Sequence, residues 1–344
     1  MSKRGIGFRR SVWILIAIYA VTLGIFAPRM TRSFDHAASY GVGAAITAFL
    51  LAVAIISRPR GDEAEITSTG VLAWRKIQAN GAAMTGMVIV LVLLYVGVFS
   101  PFLVPHDPYE INWGLVAAGP GDQNFLGTDD MGRDVLSRAI FGLRTIVGVS
   151  VLAVIVNIAL GTFFGLIAGY YGKWADALIM RILEMWNSVP FILLAIALMA
   201  ALGTGLLNLV LVVSLSGIMQ LARLIRGQVL VLRRSQFVDA ARVMGVPSPV
   251  ILLRHILPHT IGPLVVMATL KVGETILTIS GLSFLGLGIQ PPTPSLGSML
   301  STGQQFLYQN ALMAVVPGVL ILLTVLSVNL LGDGLRDAFD TRLR

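Results

Sequence analysis

The stretch FVDAARVMGVPSPVILLRHILPH, Phe237 to His259, decides how this chain is read. It lies between long apolar runs, yet it carries two arginines, an aspartate, two histidines and three prolines. Residues from Ser235 or Gln236 to Met244 read as a short helix. GVPSP ends it, because Gly245 permits a positive φ while Pro247 and Pro249 forbid helix continuation. A second short helix is expected from Val250 towards His255, with Pro258 at the start of the next apolar run. The expected unit is a compact helix-turn-helix. Ala240 and Ala241 give its first helix a thin face for close approach, and Asp239 and Arg242 flank that face as ion-pairing groups for a partner. A plain connector between helices takes about 2 to 8 residues, so a segment approaching forty residues reads as a docking element.

The surroundings make the chain an all-α integral membrane protein. Of 344 residues 56% are hydrophobic and 12% charged, and the mean hydropathy is +0.84. Such a chain cannot hide its apolar surface inside a charged globule. With about 20 apolar residues needed per crossing, eight spans are expected, near 11–27, 40–57, 84–104, 142–170, 179–201, 206–222, 261–288 and 311–332. The first could be a cleavable signal peptide after MSKRGIGFRR, but its end, IFAPRM, lacks a small-x-small cleavage pattern, which favours a retained anchor.

Basic residues orient these spans. With the N-terminus inside, nineteen Lys and Arg fall on cytosolic segments, against Arg29, Arg32, Arg133 and Arg138 outside. That asymmetry predicts both termini in the cytosol, together with the Phe237–His259 stretch. It also accounts for the net charge of +8 without nucleic acid, since no basic tract with interleaved aromatics occurs. The absence of cysteine excludes disulfides, thiolate metal sites and cysteine nucleophiles.

On the expected external side, FLGTDDMGRDVLSRAIFG (Phe125–Gly142) places Thr128 as a helix N-cap with Asp129 and Asp130 in the first turn. Val135, Leu136, Ala139 and Ile140 then recur at helical spacing, as in a helix lying along the membrane surface. Asp129, Asp130 and Asp134 could build a metal or substrate site, but the capping role is the simpler reading.

DAARVMG, followed thirteen residues after its glycine by the proline of RHILPH, resembles the EAA loop of bacterial and archaeal ABC importer permeases. FLGTDDMGRDVLSR, GLIAGYYGKWAD, LSFLGLGIQPPTPSLGSML and NLLGDGLRDAFDTRLR are similar to the peptide and nickel importer subgroup, in its C-type permease subunit. The resemblance runs in consistent order from about residue 84 to the end. It implies a type I ABC transmembrane fold, with six family helices preceded here by an extra hairpin. It also implies partners: a second homologous permease as heterodimer, two ABC ATPase subunits that carry ATP and magnesium, and an extracytoplasmic substrate-binding protein. Asp239, Ala240, Ala241, Arg242, Gly245, Leu257 and Pro258 would then form the coupling element. Three departures stand out: Asp239 replaces the family glutamate, Thr278 and Ile279 stand where many relatives carry an acid, and residues 11–57 hold two additional spans.

The implied division is an extra transmembrane hairpin over 1–60, a cytosolic linker over 61–83, the first family helix over 84–104 and an external loop over 105–141. The type-1 transmembrane domain covers 142–333, with the coupling loop at 223–260, and a cytosolic tail covers 334–344. The implied location is a bacterial or archaeal inner membrane.

Within the membrane, Lys271 and Glu274 are three apart and share a helical face. Buried charges pair or line a polar cavity, so the two either border a translocation path or lie near the cytosolic interface with Lys271 snorkelling. Asn157, Asn187 and Asn329 read as amides that hold helices together. An intramembrane serine protease built on Ser280 or Ser283 would need a buried histidine, and His36, His106, His255 and His259 all lie outside the apolar cores. A secondary transporter acting alone is the third class, separated by ATP-independent activity. The chain is not expected to be an enzyme or its own motor. Only Lys173 follows a glycine, and Ile167 and Trp174 replace the glycine and hydroxyl residues a phosphate-binding loop requires. Di- or oligopeptides are the implied cargo, with nickel chelates or other small solutes as alternatives; the chain itself is expected to bind neither metal nor cofactor.

Overall fold

Apart from one isolated antiparallel bridge between Thr128 and Asp134, every regular element among the described residues is helical. The computed structural model describes residues 69–339; the spans expected at 11–27 and 40–57 and the end of the tail lie outside them. The principal helices are α1 (Thr69–Ala79), α2 (Gly81–Val98), α3 (Val135–Tyr171), α4 (Lys173–Asn187), α5 (Phe191–Leu202), α6 (Leu206–Ser214), α7 (Ile218–Leu232), α8 (Gln236–Val243), α9 (Leu257–Phe284), α10 (Leu296–Gly303) and α11 (Leu312–Phe339). Among the described residues, four helices are long and apolar enough to cross a membrane, or up to six if each bent pair counts as one span.

The chain divides into two compact units, one from the described residues up to Gly148 together with those from Pro292 onward, the other Val149–Pro291. In the first unit α2 crosses α11 without room for side chains between them. A Cβ on Gly86 would lie 2.6 Å from the Ser327 carbonyl oxygen, and one on Gly334 would lie 2.1 Å from the Ala83 Cβ. Lipid provides no hydrophobic drive between helices, so close backbone approach through small residues supplies the contact. Part of the stretch read as a linker is α1, whose Ala73 and Ile77 pack with Leu331, Leu335 and Ala338 of α11. Asn80 separates the two helices and caps α2, its Oδ1 accepting from the amides of Ala82 and Ala83.

The second unit is organised by a glycine row on α3. Cβ atoms at Gly161, Gly165 and Gly169 would fall within 3.0 Å of Leu221, of Ala222 and Ile225, and of Val229, all on α7. Glycines four apart lie on one helix face, so the row is a groove into which α7 settles.

Three expectations about the spans need correction. No separate surface helix precedes the 142–170 span: Val135–Tyr171 is one helix of 37 residues, about 55 Å at 1.5 Å per residue. The run 179–201 is two helices, α4 and α5, bent by 86°, because Pro190 fixes its own φ and removes a backbone donor. The run 206–222 is likewise divided between α6 and α7, with a 43° bend at Gly217, whose φ is +75°.

Candidate functional site

The Phe237–His259 stretch begins as the sequence suggests. α8 ends in a Schellman motif: the amide of Val246 donates to the Ala241 carbonyl and that of Gly245 to the Arg242 carbonyl, both at 3.0 Å. Gly245 takes the left-handed position, with φ at +74°. Val246 and Ala241, the residues this motif brings together, share one apolar cluster with Val238, Ile225, Val229, Leu166, Ile251, Leu252 and Ile256. The turn is thereby fixed on both sides, by hydrogen bonds and by packing against α3 and α7.

Beyond the turn the helix-turn-helix reading gives way to a continuous element. Ser248–Phe284 is one helical run of 37 residues, passing through a π-helical turn at Ile251–Ile256 before α9. Pro258, exposed in the first turn of α9, lacks the donor for an i to i−4 bond and crowds the preceding turn. A wider π turn accommodates both effects. Leu257, half-buried, packs against the same apolar cluster.

The expected thin face is divided. Ala240 is exposed, but Ala241 is only 1% exposed and faces this chain's own core. Asp239 and Arg242 pair with each other, Nη1 to Oδ1 at 3.1 Å, and the Arg242 guanidinium lies 5.5 Å from the Tyr170 ring centroid. Tyr170 in turn donates to Ser248 at 3.4 Å. What the turn presents outward is apolar: Val243 is 89% exposed and Met244 is 74% exposed, beside exposed Pro247 and Pro249.

Two arginines fasten this platform. Arg233 Nη1 donates to the carbonyls of Gly169 and Tyr170 at 3.0 and 3.2 Å, closing the C-terminal end of α3. Arg226 on α7 holds Asp176 on α4 through both carboxylate oxygens. Sequence reading counted both arginines only as topological charge.

Within α9, Lys271 Nζ donates to Glu274 Oε1 at 2.8 Å, with the lysine side chain 9% exposed and the glutamate 54% exposed. Lys271 is thus the buried member of the pair and Glu274 the exposed one. Its ammonium sits over Gly217, where a Cβ would lie 2.3 Å from Nζ. Asn157 holds the α6–α7 break, donating to the carbonyls of Ser214 and Ser216 at 2.8 and 2.7 Å, in keeping with the structural role expected of it. Asn187 is exposed at the end of α4, and Asn329 is half-buried in α11. The hydroxyls of Ser280 and Ser283 are engaged locally, Ser280 donating to Ile276 and Ser283 accepting from Ile289.

The Phe125–Gly142 loop is held together by its own charges. Asp134, not Thr128, caps α3: its Oδ2 accepts from the backbone amide and the hydroxyl of Ser137 at 2.8 and 2.7 Å. Thr128 instead ties the loop to itself, accepting from the Ala118 amide and donating to the Leu115 carbonyl. Asp129 accepts from the amides of Met131 and Arg133 and pairs with Arg133 at 2.7 Å and Arg138 at 3.1 Å. Asp130 also meets Arg133, at 3.2 Å. The three aspartates therefore serve the loop, and among the described residues no group of three or more His, Asp or Glu gathers as a metal site.

Sequence reading also passed over Gly161, Gly165 and Gly169, although GTFFGLIAG carries the small-xxx-small signal. It passed over Asn310 as well, whose Nδ2 donates to the carbonyls of Ala118 and Leu126 at 3.0 and 3.2 Å. No local signal marks that residue, since its partners are 192 and 184 positions away.

Comparison with known proteins fits this arrangement. Residues 161–344 match the family described as binding-protein-dependent transport system inner membrane component. Residues 68–120 match the N-terminal TM domain of oligopeptide transport permease C. The glutathione transport system permease protein GsiD of Pectobacterium atrosepticum is 40% identical over 272 residues, 79% of this chain and 90% of the relative. Proteins of the same name from Escherichia coli O6:K15:H31 and Shigella boydii serotype 4 are 42% identical over the same coverage. With more than half of the chain inside the family match and nine-tenths of these relatives aligned, the chain belongs to the binding-protein-dependent inner membrane components: it is a multi-pass type I ABC transporter permease of the peptide and nickel subgroup, not an enzyme, and works in a complex with separate ATPase and substrate-binding subunits.

Proposed function

We propose that this permease imports di- or oligopeptides and is driven through α8 and the turn after it, which dock on an ATPase partner. The carrying observation is the exposure of Val243 and Met244, 89% and 74%, on a turn fixed by the Schellman bonds of Gly245 and Val246. Adjacent apolar side chains on a rigid projection are the chemistry of an interface anchor. Ala240 supports close approach from the same outer side, Gly245 sets the turn, Ala241 and Leu257 root it in the apolar cluster, and Pro258 begins the helix that receives the movement. Asp239 and Arg242 orient the projection through their mutual pair; as a surface pair it contributes little energy by itself.

The same reading places both termini and the docking turn in the cytosol, on the asymmetry of basic residues. It pairs the chain with a second, homologous permease as heterodimer, beside two ATPases that hold ATP and magnesium and an extracytoplasmic binding protein. Peptide cargo is supported by the oligopeptide permease match and by the glutathione permeases among the relatives, glutathione being a tripeptide.

The test is a double substitution at the projection, Val243→Asp with Met244→Asp. Neither side chain is buried, so the protein is expected to insert and fold, while ATPase co-purification and ATP-driven uptake fall at least about tenfold, the loss of about 1.4 kcal/mol of binding. Unchanged co-purification and uptake would remove the docking role.

A further inference from the structure

We propose that Glu274 forms a cation subsite of the transport path, binding a primary ammonium group of the substrate on the carboxylate oxygen that Lys271 leaves free. The proposal rests on the permease reading above and adds the ligand chemistry of one position within it.

Position comes first. Glu274 falls midway in the expected 261–288 span, ten residues or about 15 Å before Phe284, the end of α9, and so near the middle of a hydrocarbon core on that reading. A carboxylate half-exposed to lipid at that depth is unfavourable by several kcal/mol. Part of the neighbouring face is small or polar. Thr278 and Gly281 continue the same face at four and seven residues on, Thr278 half-buried and Gly281 exposed, and the Thr278 hydroxyl donates back to the Glu274 carbonyl at 2.9 Å. Leu277 and Leu285, 53% and 55% exposed, lie on the same face, so what is out of place against lipid there is the Glu274 carboxylate itself.

The two members of the ion pair are also unequal. Lys271 is sunk beneath the surface, its ammonium in the space that Gly217 leaves by having no Cβ, and the Gln220 amide borders the same place, 3.1 Å from where that Cβ would be. Glu274 is the outer member, with Oε1 on Lys271 at 2.8 Å. Oε2 has no hydrogen-bond partner among the described residues and is carried by a side chain 54% exposed. A carboxylate accepts through both oxygens. Lys271 can therefore hold and orient the group from behind while a second ammonium binds in front, which is the group a peptide carries at its amino terminus.

The cysteine-free chain permits a direct test in the assembled transporter, with cysteine-free partner subunits. Gly281→Cys is accommodated, since nothing lies within 4 Å of a Cβ there. It is labelled with aminoethyl methanethiosulfonate, a primary ammonium, and with its anionic sulfonatoethyl analogue. The ratio of the two rates beside an intact Glu274 should exceed the ratio beside Glu274→Gln by about tenfold, since that substitution removes one full negative charge roughly 10 Å away, which favours one reagent and disfavours the other. With Glu274→Gln the ratio should fall below the free-thiol value, because Lys271 is left uncompensated, and Glu274→Asp should restore most of the difference. Uptake of alanyl-alanine by the transporter without substitutions, measured alongside, reports on the permease reading separately. A cysteine at 281 that neither reagent reaches, a ratio that Glu274→Gln leaves unchanged, or a Glu274→Gln or Glu274→Asp chain that no longer assembles would each overturn the subsite and assign the pair to packing.

Discussion

Arg226 on α7 grips Asp176 on α4 through two parallel contacts, Nε to Oδ1 and Nη2 to Oδ2, the second at 2.6 Å. The pair fixes the helix after the glycine row to the platform that carries the Gly245 turn. Asp176→Ala is expected to lower stability by about 1–2 kcal/mol, the lower part of the range for charged hydrogen bonds, because both groups keep some contact with water. Arg226→Lys should not substitute, since an ammonium cannot meet both oxygens in the plane. Thermal unfolding of the purified chain in detergent measures this, and a double-mutant cycle with Arg226→Ala should show coupling. Strictly additive effects would mean that the two groups do not act together.

Ala240 and Ala241 should answer differently to the same enlargement. Ala241→Leu adds methylenes to the cluster of Val238, Ile225 and Ile256, and overpacking of that kind is destabilising by about 1–3 kcal/mol. Ala240→Leu, on the exposed side, should leave thermal stability within about 0.5 kcal/mol while reducing ATPase co-purification. If Ala240→Leu instead unfolds the chain, or Ala241→Leu leaves stability unchanged, the assignment of faces on α8 is reversed.

Gly165 and Gly227 form a second contrast within the α3–α7 pair. A Cβ on Gly165 would lie 2.7 Å from the Ala222 carbonyl oxygen and 2.8 Å from the Ile225 Cβ, whereas one on Gly227 meets nothing within 4 Å. Gly165→Ala should therefore separate the helices and lower the yield of folded protein and its midpoint of thermal unfolding. Gly227→Ala should be neutral or stabilising by up to about 1 kcal/mol, the helix propensity gained. Equal effects at the two glycines would remove the close-packing role of the row.

These contrasts also show where sequence stopped being informative. The turn at Gly245 was readable because its causes are local: a left-handed glycine and two prolines within a few residues. The burial of Ala241 and the internal pairing of Asp239 with Arg242 were not, because they depend on Tyr170, Ile225 and Val229 from other helices. The extra length of α3 was hidden because two acidic residues near Thr128 resemble a first turn, while the residue that caps the helix is Asp134. Among the described residues the apolar runs coincide with helices, but averaging over a run suppressed the bends at Pro190 and Gly217. Lys271 and Glu274 were visible as charges in an apolar span; which of them is buried rests on Gly217, more than fifty positions away.

Orientation is the remaining expectation that a single measurement decides. The docking reading requires Met244 on the cytosolic side and the Phe125–Gly142 loop outside, as the basic residues predict. Both sides offer an exposed reporter, since Met244 and Gln123 are exposed and the chain has no cysteine of its own. In intact cells, Gln123→Cys should react with a membrane-impermeant maleimide, while Met244→Cys should react only after the membrane is opened. Met244→Cys should in addition be shielded when the ATPase subunits are co-expressed, which ties sidedness to docking in one experiment. Labelling of Met244→Cys from outside in sealed cells would invert the topology and remove the turn from the side where ATP is hydrolysed.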